Sequence, residues 1–183
     1  YNDQWYLFYH NSAYSPKFDK NRSVCIDSLF FNEDGTIRKV IPTNRGVGIT
    51  SAQTTIEIDR FSQVSPAGVT VALIDTINPF RGWTAQLSGP GSWISYNAVD
   101  FGNKKLKSVR VNASSVTGGI IQIRLDNPAG LLLAEIEIPG NTALSNVDAK
   151  LKKYSKGTHN LFVVLKDGNP VNIDWVQFRK KSK

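Results

Sequence analysis

A single cysteine, Cys25, in 183 residues rules out an intrachain disulfide and leaves neither a CxxC pair nor the spacing of a metal knuckle. Methionine is absent, and histidine occurs twice, at His10 and His159. No apolar run approaches the ~20 residues that a membrane-spanning helix needs, and the opening residues do not read as a signal sequence. With no methionine, and with Tyr1-Asn2-Asp3 placed directly before an aromatic run, the expectation is a piece of a longer polypeptide whose export signal, if any, lies upstream. Helical periodicity is lacking too. What the chain does have is 40% hydrophobic content and 20% charge, ordinary for a folded protein.

The formal charge is +7 and the pI about 9.5. Much of the excess sits in Lys150, Lys152, Lys153 and Lys156 and in the tail Arg179, Lys180, Lys181 and Lys183. Basic and aromatic residues do not interleave there as they do on a base-stacking surface, so the expectation is a solvated face and no nucleic-acid partner.

The stretch from Gly91 to Gly130 reads as three consecutive strands. Trp93, Ile94, Tyr96 and Val99 open the first. Val109, Val111 and Ala113 then alternate with Arg110 and Asn112, and after a Thr117-Gly118-Gly119 turn Ile121, Ile123 and Leu125 alternate with Gln122, Arg124 and Asp126. Period-2 alternation marks strands with one face buried and one wet, and short strands punctuated by Gly, Asn and Pro belong to an antiparallel sandwich or barrel.

Residues 1–48 form a separate unit in this reading. Gln4 to His10 is an aromatic strand, and Arg22 to Phe31 is a second. A turn with Asp34-Gly35 at its tip leads to Ile37, Lys39 and Ile41 as a short third strand. Three strands cannot bury so many aromatics alone and must pack on something else. Pro42 to Gly48 reads as a linker, and residues 49–183 as the second unit.

Two carboxylates, Glu57 and Asp59, lie two apart in Ile56-Glu57-Ile58-Asp59, on one face of a strand. Like charges so placed repel unless hydrated or bridged by a cation. In the closing strand Val171, Ile173 and Trp175 fall on one face, and Asn172, Asp174 and Val176 on the other.

The run YLFYH, then RSVCID, then FNEDGTI resembles the last blade of the five-bladed propeller in family 43 glycoside hydrolases. That resemblance implies an enzyme with a catalytic carboxylate pair. The pair would come from earlier blades, so no catalytic residue is assigned in this chain. It also implies that His10 can approach the propeller axis, with a packed, hydrogen-bonded side chain as the alternative. From about Thr54 to Arg179, the ExD strand, the WISY, VDFG and IRLDNPAG segments, Gly157-Thr158-His159 and the closing NIDW strand resemble a family 6 carbohydrate-binding module.

The second resemblance implies an all-β jelly-roll sandwich, with the first unit as a small antiparallel sheet left from the propeller blade. It implies structural Ca2+ on Glu57, Asp59 and Asp174. It also implies a sugar cleft at Asn172 with a stacking aromatic, for which Trp83 is the first candidate and Phe80 its rival; Trp93 and Trp175 read as core. The second cleft aromatic of the family has no counterpart in Pro139 to Val147, read as a loop. The expected partners are plant cell-wall polysaccharide, xylan or arabinoxylan, and the propeller domain of the same polypeptide. The expected location is secreted, periplasmic or cell-surface in a bacterium. A sandwich that merely buttresses the propeller, with weak or no sugar binding, is the competing expectation.

Overall fold

The computed structural model describes residues 3–12 and 23–180, Thr142 in its backbone only. Arg22, Lys181 and Lys183, invoked above, lie outside the described residues. The chain divides into two compact units, Tyr1–Gly48 and Ile49–Lys183.

In the first unit, β1 (Trp5–Asn11) pairs antiparallel with β2 (Ser23–Leu29), Tyr9 opposite Cys25 and His10 opposite Val24. The third strand expected at residues 37–41 does not form. Phe31 and Ile37 make one isolated bridge, closed by Asn32 N–H to Thr36 O at 2.8 Å and Arg38 N–H to Phe30 O at 2.8 Å. Asp27, buried at 6% exposure, organises the unit. It accepts from Tyr9 Oη at 2.6 Å, from Thr43 N at 2.9 Å and from Thr43 Oγ1 at 2.6 Å. Burial first, then the bond to Asp27, raises the Tyr9 phenol above its usual range.

The second unit opens with three very short strands, β3 (Thr50–Ser51), β4 (Ile56–Glu57) and β5 (Gln63–Val64). Nine longer ones follow: β6 (Val69–Leu73), β7 (Trp83–Leu87), β8 (Trp93–Asp100), β9 (Ser108–Ser115), β10 (Gly119–Leu125), β11 (Leu131–Ile138), β12 (Asn141–Lys150), β13 (Thr158–Gly168) and β14 (Val171–Arg179). They build two sheets. One runs β11-β10-β13-β8-β3 with β5 on β8; the other runs β12-β9-β14-β7-β6 with β4 on β14. Every pairing is antiparallel except β3 with β8. Consecutive strands β8 and β9 therefore belong to different layers, as in a jelly-roll sandwich.

The alternating residues meet between the layers. Ile121, Ile123 and Val163 from one sheet face the interior with Val111, Ile173 and Phe178 from the other, each at most 1% exposed. Phe178 meets Phe101 edge-on at 4.9 Å between ring centres, one of the favoured aromatic geometries.

Three features depart from the sequence reading. Residues 141–150 are a strand, β12, rather than a loop. β14 does not alternate evenly: its register against β9 shifts between Ile173 and Trp175, so Val176 and Phe178 turn inward and Trp175 is only half-buried. Trp93, also expected in the core, is half-buried and tilted against Phe162 at 5.3 Å.

Candidate functional site

The shift in β14 is a β-bulge, which re-aims a side chain out of the strict alternation. Asp174 is the extra residue, left without a partner on β9, and the side chain turned outward by it is Trp175. The Asp174 carbonyl accepts from Ile58 N at 2.9 Å, and Trp175 pairs with Glu57. The fold thus brings Glu57, Asp59 and Asp174, distant in sequence, to one place. Asp59 is 8% exposed. Burial, then the charge of Asp59, pushes the Asp174 carboxyl up to about 6. Burial, then Asp174 and Asp59, raises Glu57; burial raises Asp59, against the opposing pull of Arg60. Among the described residues no group of three His, Cys, Asp or Glu side chains converges tightly enough to hold a metal ion. The cluster is therefore three neighbouring carboxylates that disfavour one another's charge, without a closed coordination shell.

A second feature lies across the β12-β9-β14-β7-β6 sheet and draws residues from all five of its strands. A cavity of about 430 Å³ is lined by residues that include Ile74, Arg81, Thr84, Ser114, Leu144 and Asn172. Asn172 stands on β14 opposite Gln86, and its Oδ1 accepts from Gln86 Nε2 at 3.0 Å. Thr84 is fixed by a bond from Oγ1 to Ile173 O at 3.0 Å. Arg81 reaches Asp75 at 3.6 Å. The Asp75 carboxylate also accepts from the backbone of Ile77 and Asn78, which shapes the 74–82 loop.

Asn172, expected at a sugar cleft, lines this cavity. Trp83 does not line that cavity. It shares the alternation of Ala85 and Leu87, both buried, and is half-buried at the start of β7. Phe80, in the short turn Pro79–Arg81, is 99% exposed and, like Trp83, does not line the cavity, although its sequence neighbour Arg81 does. Where a second aromatic was sought, β12 supplies Ala143 and Leu144, small aliphatic surface without a ring. His10, considered for an axial role, is exposed on β1.

One constellation escaped the sequence. Asp126, Ser155 and His159 form a chain, His159 Nδ1 to Asp126 Oδ2 at 2.8 Å and His159 Nε2 to Ser155 Oγ at 2.7 Å. It has the outline of a hydrolytic triad, but Nε2 also faces the Lys156 carbonyl at 3.0 Å. With Asp126 holding Nδ1, the Ser155 hydroxyl and the Lys156 carbonyl share Nε2, and the tautomer sets which of the two it bonds. The chain is a clamp that ties the 151–157 segment to β13 and to the turn after β10.

A two-layer sandwich with a cavity across one sheet at Asn172 and a carboxylate cluster beside its closing strand is the class of a sugar-binding module. The chain belongs to the carbohydrate binding module family 6, whose sequence model matches residues 68–180. An arabinoxylan arabinofuranohydrolase from Paenibacillus polymyxa is 25% identical over 97% of this chain and 30% of its own length. Among solved structures, the family 43 arabinoxylan arabinofuranohydrolase of Bacillus subtilis, determined with cellotetraose, matches at TM-score 0.68 and 25% identity, covering 98% of this chain and 39% of that one. A family 6 module from Clostridium stercorarium, determined with cellobiose, matches at TM-score 0.65 and 24% identity over 73% of this chain and 98% of that one. The first two matches run through both units, as the two resemblances in the sequence imply. The chain spans about a third of the length of the curated relative. Among the described residues no helix is long and apolar enough to cross a membrane.

Proposed function

We propose that this chain holds a plant cell-wall polysaccharide, xylan or arabinoxylan, in the cavity at Asn172 and so keeps a glycosidase domain of the same polypeptide at its substrate. The observation that carries the proposal is the cavity itself. It offers an amide fixed by Gln86 and the Arg81 guanidinium, groups with which proteins read sugar hydroxyls, and the exposed ring of Phe80, next to Arg81 in sequence but outside the cavity lining, is the nearest candidate along the chain for stacking on a C–H face. Tethering raises the effective concentration of polymer at the catalytic domain without any new chemistry. The activity of that domain, by analogy with its relatives, is removal of arabinose side chains, with catalytic carboxylates supplied from outside this chain. Such an enzyme works outside the cytoplasm, secreted, periplasmic or cell-surface.

The family resemblance implies a structural calcium at the carboxylate cluster. Carboxylate oxygens are the donors a hard cation takes, and its charge would offset the burial that raises all three groups, although as placed the three do not converge on one point. Glu57, Asp59 and Asp174 would hold it, and it would fasten the opening and closing strands of the sandwich.

The second reading, a sandwich that only buttresses the propeller, is favoured by the missing second ring: a sugar stacked on one side alone forgoes on the order of 1 kcal/mol. Calorimetric titration with xylo- and arabinoxylo-oligosaccharides separates the two. Binding that Asn172→Ala weakens supports the first; no heat at millimolar ligand supports the second.

A further inference from the structure

At the end of the sandwich, the loop between β8 and β9 meets the segment between β12 and β13. The two are tied by Leu151 N to Lys107 O at 2.9 Å, and Lys107 N is tied to Arg179 O at 2.8 Å. Between them lies a cavity of about 330 Å³ whose lining includes five lysines, Lys105, Lys107, Lys150, Lys152 and Lys153, together with Tyr154. None of the lining side chains is acidic. Lys105 Nζ lies over the Tyr154 ring at 5.1 Å, and Tyr154 is 45% exposed. The neighbouring carboxylate is Glu135 on β11, which Lys152 influences but which is bonded to Lys166 at 3.1 Å and to Gln122 at 2.8 Å. Five like charges around one hollow repel one another, and an anion relieves that repulsion.

We infer that this lysine-lined hollow is a second saccharide subsite, for the carboxylate of a uronic acid borne on the polysaccharide. The choice of occupant rests on the sugar-binding reading above; the anion preference rests on the five lysines alone. The volume is at the lower end for a small-ligand pocket and suits one charged ring or side branch. A nucleic-acid strand needs several stacking platforms along a basic groove, and this hollow holds one ring, already under an ammonium group. The lysines that read in the sequence as a solvated face are, in part, gathered here.

The test is affinity electrophoresis and calorimetry with glucuronoxylan and with the same polymer after its carboxyl groups have been reduced. Both are run at about 20 and about 200 mM salt, which shortens the screening length roughly threefold. Wild type should bind the carboxylated polymer about three- to tenfold more tightly at low salt, and the preference should shrink at high salt. Lys105→Gln with Lys153→Gln should abolish the preference while leaving the melting temperature and the affinity for the reduced polymer unchanged. Asn172→Ala should weaken both polymers alike and keep the preference, which separates failure of this subsite from failure of the sugar cavity. Equal affinity of wild type for the two polymers overturns the inference. So does tighter binding of single-stranded DNA than of glucuronoxylan that the double variant removes, because the hollow would then serve nucleic acid.

Discussion

The backbone N–H of Ile58 donates to the carbonyl of Asp174 at 2.9 Å. The residue between Glu57 and Asp59 is thereby stapled to the third carboxylate of the cluster, and the opening and closing segments of the sandwich share their least comfortable charges.

The pH dependence follows. Asp174 is raised in the folded state from 3.8 to about 6, so its contribution to stability is fully present below the unfolded value and is lost as pH rises through the folded one. Glu57 and Asp59 shift in the same direction. In chelator, the melting temperature of the second unit should fall between about pH 4 and pH 7 by more than buffer controls account for. Calcium should restore it near neutrality and have little effect near pH 4, where protons compete for the same oxygens. Asp174→Asn should raise the chelator melting point at pH 7 and blunt the calcium response; differential scanning fluorimetry reads all three.

The two aromatic candidates for the sugar wall should separate cleanly. Trp83→Ala removes a half-buried ring that shares its strand face with Ala85 and Leu87, at a cost of about 2 kcal/mol, or a melting point lower by roughly 4–8 °C. Phe80→Ala touches a ring that is 99% exposed, so the melting point should hold while affinity for xylo-oligosaccharides drops by about fivefold to tenfold. Calorimetry and thermal melts on the same two variants decide between them.

Asp27 is the one buried acidic side chain among the described residues of the first unit, and it accepts three hydrogen bonds from Tyr9 and Thr43. Asp27→Ala strands those donors at a cost of about 1–3 kcal/mol. Hydrogen exchange should show the Thr43 amide losing protection, with the β13 amides of the second unit unchanged.

Gly130 closes the turn between β10 and β11. A Cβ there would run into the Leu125 carbonyl oxygen and crowd the backbone of Asn127. The Gly130 carbonyl also accepts from Arg124 Nη1 at 2.7 Å, so the turn has little room to shift. Gly130→Ala should destabilise the sandwich by roughly 2–4 kcal/mol in urea unfolding, a large effect for one added methyl.

The strands whose alternation was legible, β9 and β10, are those buried on one face by the opposite sheet, where pattern and packing agree. β12 was not legible, because it is an edge strand built from Asn, Thr, Ala and Ser with few β-formers, and its place comes from pairing with β9. The bulge at Asp174 has no local signature either. It reverses the inward assignment of Trp175, and only the register against β9 fixes it. That Glu57, Asp59 and Asp174 lie near one another was expected only through the family resemblance, because Asp174 is remote from the other two in sequence. Trp83 was chosen as a loop aromatic, but the hairpin with β6, which pairs it with Leu73, makes it a strand residue. The clamp of Asp126, Ser155 and His159 needed the fold, since its members are brought together only by the packing of β13 beside β10.

Titration of the wild-type chain and of Asn172→Ala with arabinoxylo-oligosaccharides tests the central claim most directly. Saturable binding by the wild type, weakened about tenfold or more by the substitution with no change in melting temperature, is the predicted result. Binding that is undiminished in Asn172→Ala, or absent from the wild type at millimolar sugar, would contradict it.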